Sequence, residues 1–487
     1  MFRYSWIALL LGWGLVASLP GQSIRLASKK FTENVILAEI AAAKLKNSGF
    51  KVENKGELGG TRILWKALQQ GEIDIYPEYS GTLRYEIFAG IENADLEAEL
   101  ARVGLAMTPA LGFNNTYALA VPVHLAGKYD LVKTSDLKKY PQLRFGLTSE
   151  FLQRRDGWPG LRATYQLAPA EVNGLDHDLA YAGIRSGAID VIDVYTTDAE
   201  IDHYNLAVLR DDRNYFPEYN AMYLYRQSLD NNAVRQLVSL RGAFSDTLMI
   251  RLNALAKITG KSTKKIAATF LQERFGINMR TTETTMLSRL INNSLDHLAL
   301  VGLSMFAAVL LAIPVGILAA RQRRLGALLI ALSGIMQTIP ALALLVFMIP
   351  IFGIGAQPAI AALFIYSLLP VIRNTHMGLV TIPSHLLEAA RAMALSPIYI
   401  LLHIELPLAR AAILSGIKTA VVINIGTATL GALIGAGGYG QPILTGIRLA
   451  DTSLILQGAI PAALLAILAQ ICLDQLEKRF TPRGLRQ

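Results

Sequence analysis

Between Arg280 and Leu295 the chain changes character. Before that point Asp, Glu, Lys and Arg recur every few residues; beyond it, long apolar stretches carry few charges. Five apolar runs can be drawn there, at 298–320, 325–351, 359–372, 408–435 and 454–473. A run of roughly 20 apolar residues has one stable form in hydrocarbon, the helix, because its backbone groups must bond within the segment. The 359–372 run is short for a span and has room to extend back to Ile354. Pro314, Pro340, Pro370 and Pro461 interrupt the runs, which is tolerated where neighbouring helices re-satisfy the freed carbonyls. A chain divided in this way is a soluble part followed by an all-α transmembrane bundle.

The net charge of +9 over 487 residues is no nucleic-acid footprint, because much of the excess lies in short loops beside the apolar runs. There it orients a membrane protein. Arg321, Arg323 and Arg324 are expected on the cytoplasmic side. Counting onward, the 353–357 turn is external, the loop with Arg373 and Arg391 internal and the 437–451 loop external. The tail with Lys478, Arg479, Arg483 and Arg486 is then internal, and the soluble part external. Arg3 followed by an apolar stretch from Trp6 to Leu19, then Pro20 and Gly21, reads as a secretory signal or an uncleaved anchor over residues 1–22. The count is thus five spans, or six with that segment. Cys472 is the only cysteine, so no disulfide forms within one chain.

Residues 23–280 form the soluble domain, 281–294 a linker and 295–487 the membrane domain. Strands are expected at 24–27, 51–56 and 73–76, with helices at 32–46, capped by Thr32, and at 61–70. Such alternation argues a parallel α/β sheet. A weak repeat runs through it. Gly71-Glu72-Ile73-Asp74-Ile75 resembles Gly187-Ala188-Ile189-Asp190-Val191, and a tyrosine sits eight residues after each glycine, Tyr79 and Tyr195. Tyr117 and Tyr219 form a second pair in two strand-like runs. Two similar lobes would bring the four rings to one cleft, at the strand ends where open α/β sheets bind ligands. Ring faces suit a quaternary ammonium, which donates no hydrogen bond, at roughly 0.5–2 kcal/mol each. Micromolar binding needs about 8 kcal/mol, so a charged partner for the ligand's other end is expected.

Between the third and fourth runs lies a part-polar insert, Glu388 to Pro407. It resembles the EAA loop of the membrane subunit of ATP-binding-cassette importers: Glu388, Ala389, Ala390, Ile404, Leu406 and Pro407 match, and Ala394 stands where that pattern has glycine. The resemblance implies a coupling helix that sits in a cleft of a cytoplasmic ATPase. The first 250 or so residues resemble the binding proteins of glycine betaine, choline and carnitine importers, in Ser28-Lys29-Lys30-Phe31-Thr32-Glu33, Tyr79-Ser80-Gly81-Thr82, Asn114-Asn115-Thr116-Tyr117 and Asp193-Val194-Tyr195-Thr196-Thr197-Asp198. The second half resembles their permeases, notably in Ile423-Asn424-Ile425-Gly426-Thr427-Ala428-Thr429 and Gly435-Ala436-Gly437-Gly438.

These resemblances imply a two-lobed α/β binding-protein fold fused ahead of an all-α permease bundle in a bacterial cytoplasmic membrane. They imply an aromatic box of Tyr79, Tyr117, Tyr195 and Tyr219, and carboxylate partners Lys29, Thr82 and Arg154, with Arg155 adjacent to the last. The ligand would be glycine betaine, choline, carnitine or proline betaine; ergothioneine, an amino acid, or a receptor without transport are the alternatives. Two copies would build the pore as a homodimer. No cofactor is expected on this chain, with ATP-Mg on the partner subunit.

Gly260-Lys261-Ser262 looks like the end of a phosphate loop, but the glycine required five residues earlier is Leu255. The sequence has no H-E-x-x-H, no G-x-S-x-G and no metal-ligand cluster, and an enzyme is not expected. His177 and His203 read as isolated and solvated. The tail after Leu473 is short for a signalling output domain, and the EAA loop favours transport over reception.

Overall fold

Gly71 and Gly187 end helices Thr61–Gln70 and His177–Ser186 in the left-handed conformation, with φ of 75° and 71°. Glycine meets that demand without the Cβ clash other residues incur. The Asp three residues on then grips an arginine that starts a neighbouring strand. Asp74 accepts from the backbone, Nε and Nη2 of Arg25, and Asp190 does the same for Arg144, over 2.8–3.1 Å. The weak sequence repeat is therefore the same helix-stop and strand-start device used once in each lobe.

A computed structural model describes residues 23–91, 95–279, 285–449 and 451–480. The segment at 1–22, Arg483 and Arg486 lie outside them. Among the described residues ten strands make two five-stranded sheets: β1 Ile24–Lys29, β2 Val52–Gly59, β3 Ile75–Tyr79, β4 Leu105–Met107, β5 Tyr117–Pro122, β6 Arg144–Thr148, β7 Glu171–Leu175, β8 Val191–Tyr195, β9 Leu206–Leu209 and β10 Ala221–Arg226. Their orders are β2-β1-β3-β10-β4 and β7-β6-β8-β5-β9. The expected parallel sheet needs a correction. β1, β2 and β3 run parallel, as do β6, β7 and β8, but β10 and β5 are antiparallel to their neighbours. The reversed strand in each sheet is the one that has just crossed from the other lobe. Thr32 is also not a cap. Phe31 holds that position without a side-chain bond, and Thr32 is the first residue of helix Thr32–Asn47.

In the second half, helix Met286–Arg321 takes in most of the stretch assigned to a linker, while 280–284 lie outside the described residues. The 325–351 run is not one straight span. It breaks at Pro340 into Arg323–Thr338 and Ala341–Phe352, which meet at 98°. Ile339 is extended, φ −67° and ψ 126°, because the proline ring disfavours a helical residue before it. The short third run grows at both ends, three residues back and eight forward, as helix Ala356–Val380. Helices Leu406–Ala428 and Thr452–Phe480 follow. Among the described residues four helices are long and apolar enough to cross a membrane, five if the bent pair is one span. Asn424 lies fully buried in the bundle and donates to Ser304 at 3.2 Å and Ser367 at 2.7 Å. An amide at such depth is costly without those partners.

Two groups of contacts orient the halves. Ile354 packs against the core of the first lobe, and a Cβ on Gly435 would lie 2.4 Å from Leu58 Cδ2. The turn at 353–355 and the segment beyond 435 thus touch the soluble domain. Arg321, at the end of the first span, instead pairs with buried Glu405 of the EAA loop, Nη1 to Oε1 at 3.0 Å.

Candidate functional site

The strand reversal places the tyrosines. Tyr79 and Tyr195 are the last residues of β3 and β8, whereas Tyr117 opens β5 and Tyr219 directly precedes the strand pair of Asn220 and β10. Antiparallel pairing brings those opposite ends to one edge: Tyr117 is in register with Tyr195, and Ala221 with Tyr79. All four rings line one cavity of about 350 Å³, together with Lys29, Thr82 and Arg154. Tyr117 lies 5.0 Å from Tyr195 and 5.5 Å, edge-on, from Tyr219. Phe31, which sequence reasoning passed over although it stands inside a quoted motif, touches Tyr79 at 5.9 Å and Tyr195 at 5.6 Å. The arrangement is a hollow lined by rings and by cationic side chains.

Those cations have carboxylate partners of their own. Lys29 Nζ donates to Glu78 at 2.5 Å. Arg154 donates through Nε and Nη2 to Asp156 and through Nη1 to Glu86 at 2.8 Å, tying the two lobes together. Its Nη2 also reaches the Tyr219 hydroxyl at 3.3 Å. Its guanidinium carbon lies 5.9 Å and 5.8 Å from the Tyr117 and Tyr219 rings. These four bonds leave one of five guanidinium N–H groups, and one bond leaves two of three ammonium N–H groups on Lys29. Arg155 is not among the residues that line the cavity.

His177 corrects the expectation of an isolated, solvated histidine. It lines the cavity, its ring lies 4.6 Å from Tyr195, and Nε2 meets Asp198 at 3.0 Å. Burial opposes its charge, but Asp198, with Asp178 and Asp193 behind it, raises its pKa to about 9. His203 is exposed, as expected. Nothing in the local sequence of His177 announces the site; its partner Asp198 is 21 residues away.

Glu33 underlies the box. The fully buried carboxyl accepts from Tyr79 at 2.6 Å and Asn115 at 2.8 Å on one oxygen, and from Thr197 at 2.5 Å and Asn253 at 3.2 Å on the other. Burial pushes its pKa up to about 7, against the lowering effect of the Thr197, Tyr79 and Asn253 bonds. As the raised pKa favours the neutral form of the folded state, this group weakens folding as pH rises from about 4.5 to 7. Its ionisation acts oppositely on a cation in the box. Affinity of the full chain for choline should therefore rise between pH 6 and 8, as measured by calorimetry. Glu33→Gln should remove that rise while His177 remains charged.

The EAA segment folds as helix Ser384–Ala392, a turn, and a π-turn Leu401–Glu405 that leads into helix Leu406–Ala428. Glu388 and Ala389 are exposed on the first helix, and Ala390 is buried. Ile404 lies in the π-turn, and Leu406 and Pro407 open the next helix. Ala394 has φ 52°. That is the left-handed conformation for which the family pattern supplies glycine, and alanine pays roughly 1 kcal/mol there. Ala394→Gly should relieve it, less the extra chain entropy of glycine, a net gain of about 0.5 kcal/mol. Hydrogen exchange at Ala394 and Leu395, whose amides close on Arg391 and Ala390, should slow about twofold.

Residues 22–273 match the family described as the substrate binding domain of ABC-type glycine betaine transport systems. That covers just over half the chain. The protein belongs to this family. Residues 312–484 match the binding-protein-dependent transport system inner membrane component. The permease half is 44% identical over 179 residues to the glycine betaine/carnitine/choline permease OpuCD of Bacillus subtilis, covering 37% of this chain and 78% of that one. It is 40% identical over 196 residues to the osmoprotectant import permease OsmW of Salmonella typhimurium, covering 39% of this chain and 91% of that one. The crystal structure of a glycine betaine/carnitine/choline ABC transporter aligns with a TM-score of 0.44 at 27% identity, over 52% of this chain and 98% of that one. The chain is thus the binding domain and permease of an ABC importer in one polypeptide. It is an integral membrane transport component, not an enzyme, and works with a separate ATPase subunit.

Proposed function

We propose that this importer subunit captures a quaternary-ammonium osmolyte, glycine betaine being the type case, outside the cytoplasm and passes it through a homodimeric pore. One observation carries the reading: four tyrosines and a phenylalanine wall a single cavity that Lys29, Thr82 and Arg154 also line. The ring faces take the methylated cation, and the free N–H groups of Lys29 and Arg154, with the Thr82 hydroxyl, take a carboxylate. Choline would use only the rings. ATP with Mg²⁺ binds the partner subunit, whose contact with the exposed Glu388 and Ala389 moves the bundle, while buried Ala390 seats the helix on its own chain. The exposed apolar side chains of Met393 and Ile398, 66% and 71% accessible, support a docking face at this loop. The topology is supported by contact partners. The 353–355 turn and the segment beyond 435, external by charge count, touch the binding domain; Arg321, internal by the same count, holds the EAA loop.

Calorimetric titration of the full chain in nanodiscs tests the ligand class. Glycine betaine, choline and carnitine should bind while histidine and proline bind weakly or not at all. Tight histidine binding with silence toward every quaternary amine would discard the box.

A further inference from the structure

Arg448 ends the short helix Gly440–Arg448 of the permease half, yet its partners belong to the binding domain. It is 6% accessible. Nη2 donates to Glu57 at 3.0 Å and Nη1 to Thr32 at 3.2 Å. Nε is buried with no partner among the described residues. Glu57 and Thr32 both belong to the first lobe, as do Leu58 and the core that seats Ile354. The first lobe is the one anchored to the permease.

The second lobe meets Arg448 differently. Arg448 lines a cavity of about 120 Å³ together with Asp176, Asp178, Lys30 and Glu57. Lys30, Asp176 and Asp178 also line the ligand cavity, so the two hollows share walls. Asp178 is held by Lys257, which also bonds Glu200 at 2.7 Å. Asp176 caps its helix by accepting from the Asp178 amide at 3.1 Å. Both carboxylates stand at the start of helix His177–Ser186 of the second lobe, and Lys257 reaches Asp178 from helix Asp246–Lys257, which packs on helix Thr32–Asn47 of the first lobe. On the first lobe, Thr32 follows Phe31, whose ring touches Tyr79 of one lobe and Tyr195 of the other.

We propose that Arg448 is the residue through which the permease half senses lobe closure: the first lobe holds it at Glu57 and Thr32, and ligand-driven closure presents Asp176 and Asp178 to its unpartnered Nε. The inference rests on the proposed ligand reading and adds the surface that reports occupancy. A guanidinium suits the task because its fork serves one lobe while leaving an N–H for the other. With the lobes apart, the second set of acids is withdrawn and the arginine reads only the first. Burial pushes the Glu57 carboxyl up, opposed by Arg448 and Lys30 and reinforced by Asp178, and lowers the Lys30 ammonium, opposed by Glu57 and Asp176. The junction is thus a desolvated cluster in which an added carboxylate changes the balance. Arg448 is a positioning residue and touches no ligand.

The test uses the full chain assembled with its ATPase subunit in nanodiscs, with glycine betaine as probe. Two quantities are read, calorimetric affinity and the stimulation of ATP hydrolysis by ligand. Arg448→Glu and Glu57→Arg should each keep betaine affinity within about threefold and reduce the stimulation at least about tenfold. The double variant, with the charges exchanged, should regain much of it. Asp176→Asn should diminish the stimulation with the Arg448–Glu57 pair left intact. Retained affinity shows that Arg448→Glu and Glu57→Arg are folded. Undiminished stimulation in Arg448→Glu would overturn the proposal, as would a double variant no better than either single one. A wild-type chain that binds no quaternary amine would instead remove the ligand reading itself.

Discussion

Tyr195→Ala should weaken glycine betaine binding at least about tenfold, and Tyr195→Phe should cost little. Tyr195 faces Phe31, Tyr117 and His177 with ring separations of 5.6, 5.0 and 4.6 Å, so its ring is shared by both lobes and by the histidine behind it. Removing one ring face forfeits roughly 0.5–2 kcal/mol of cation–π attraction, and the vacated space admits water to the cationic head. Together these exceed about 1.4 kcal/mol, the tenfold mark. The hydroxyl is not what holds a methylated cation, which is why phenylalanine serves. Calorimetry on the two full-length variants separates ring from hydroxyl. A tenfold loss in Tyr195→Phe as well would mean that a hydrogen bond, not the π face, holds the ligand.

Glu388→Lys should abolish uptake and leave binding unchanged. Glu388 is exposed on helix Ser384–Ala392, far along the chain from the aromatic box, and no ion pair or hydrogen bond of its own is seen among the described residues. Its reversal therefore costs the fold little. At a docking surface, however, a like-charge juxtaposition costs several kcal/mol. Transport of labelled betaine by cells expressing the variant with its ATPase, beside calorimetry on the purified chain, checks both halves of the expectation. Normal uptake would remove the EAA helix from the coupling role.

What could be read from the sequence was what repeats or what resists hydrocarbon. Tyr79 and Tyr195 were legible because the glycine helix stop and the aspartate that grips Arg25 or Arg144 recur at one spacing. Tyr117 and Tyr219 were legible as a pair, but the reason they reach the same edge was not. It depends on β5 and β10 running backwards after crossing between lobes, which no local pattern encodes. The apolar runs marked the bundle, while the 98° break at Pro340 was hidden because hydropathy is blind to direction. Glu33 stands in plain view in the Ser28–Glu33 motif, yet its four donors come from residues as far as Asn253. The Arg448 contact joins residues 391 apart in sequence, so only the fold could disclose it.

One polypeptide should both trap a methylated cation behind tyrosine rings and deliver it across the membrane. Reconstitution of the full chain with its ATPase subunit in proteoliposomes measures this directly, as ATP-driven accumulation of labelled glycine betaine. Accumulation is expected, suppressed by unlabelled choline or carnitine and not by histidine. Accumulation of labelled histidine, with glycine betaine neither carried nor competing, would contradict it.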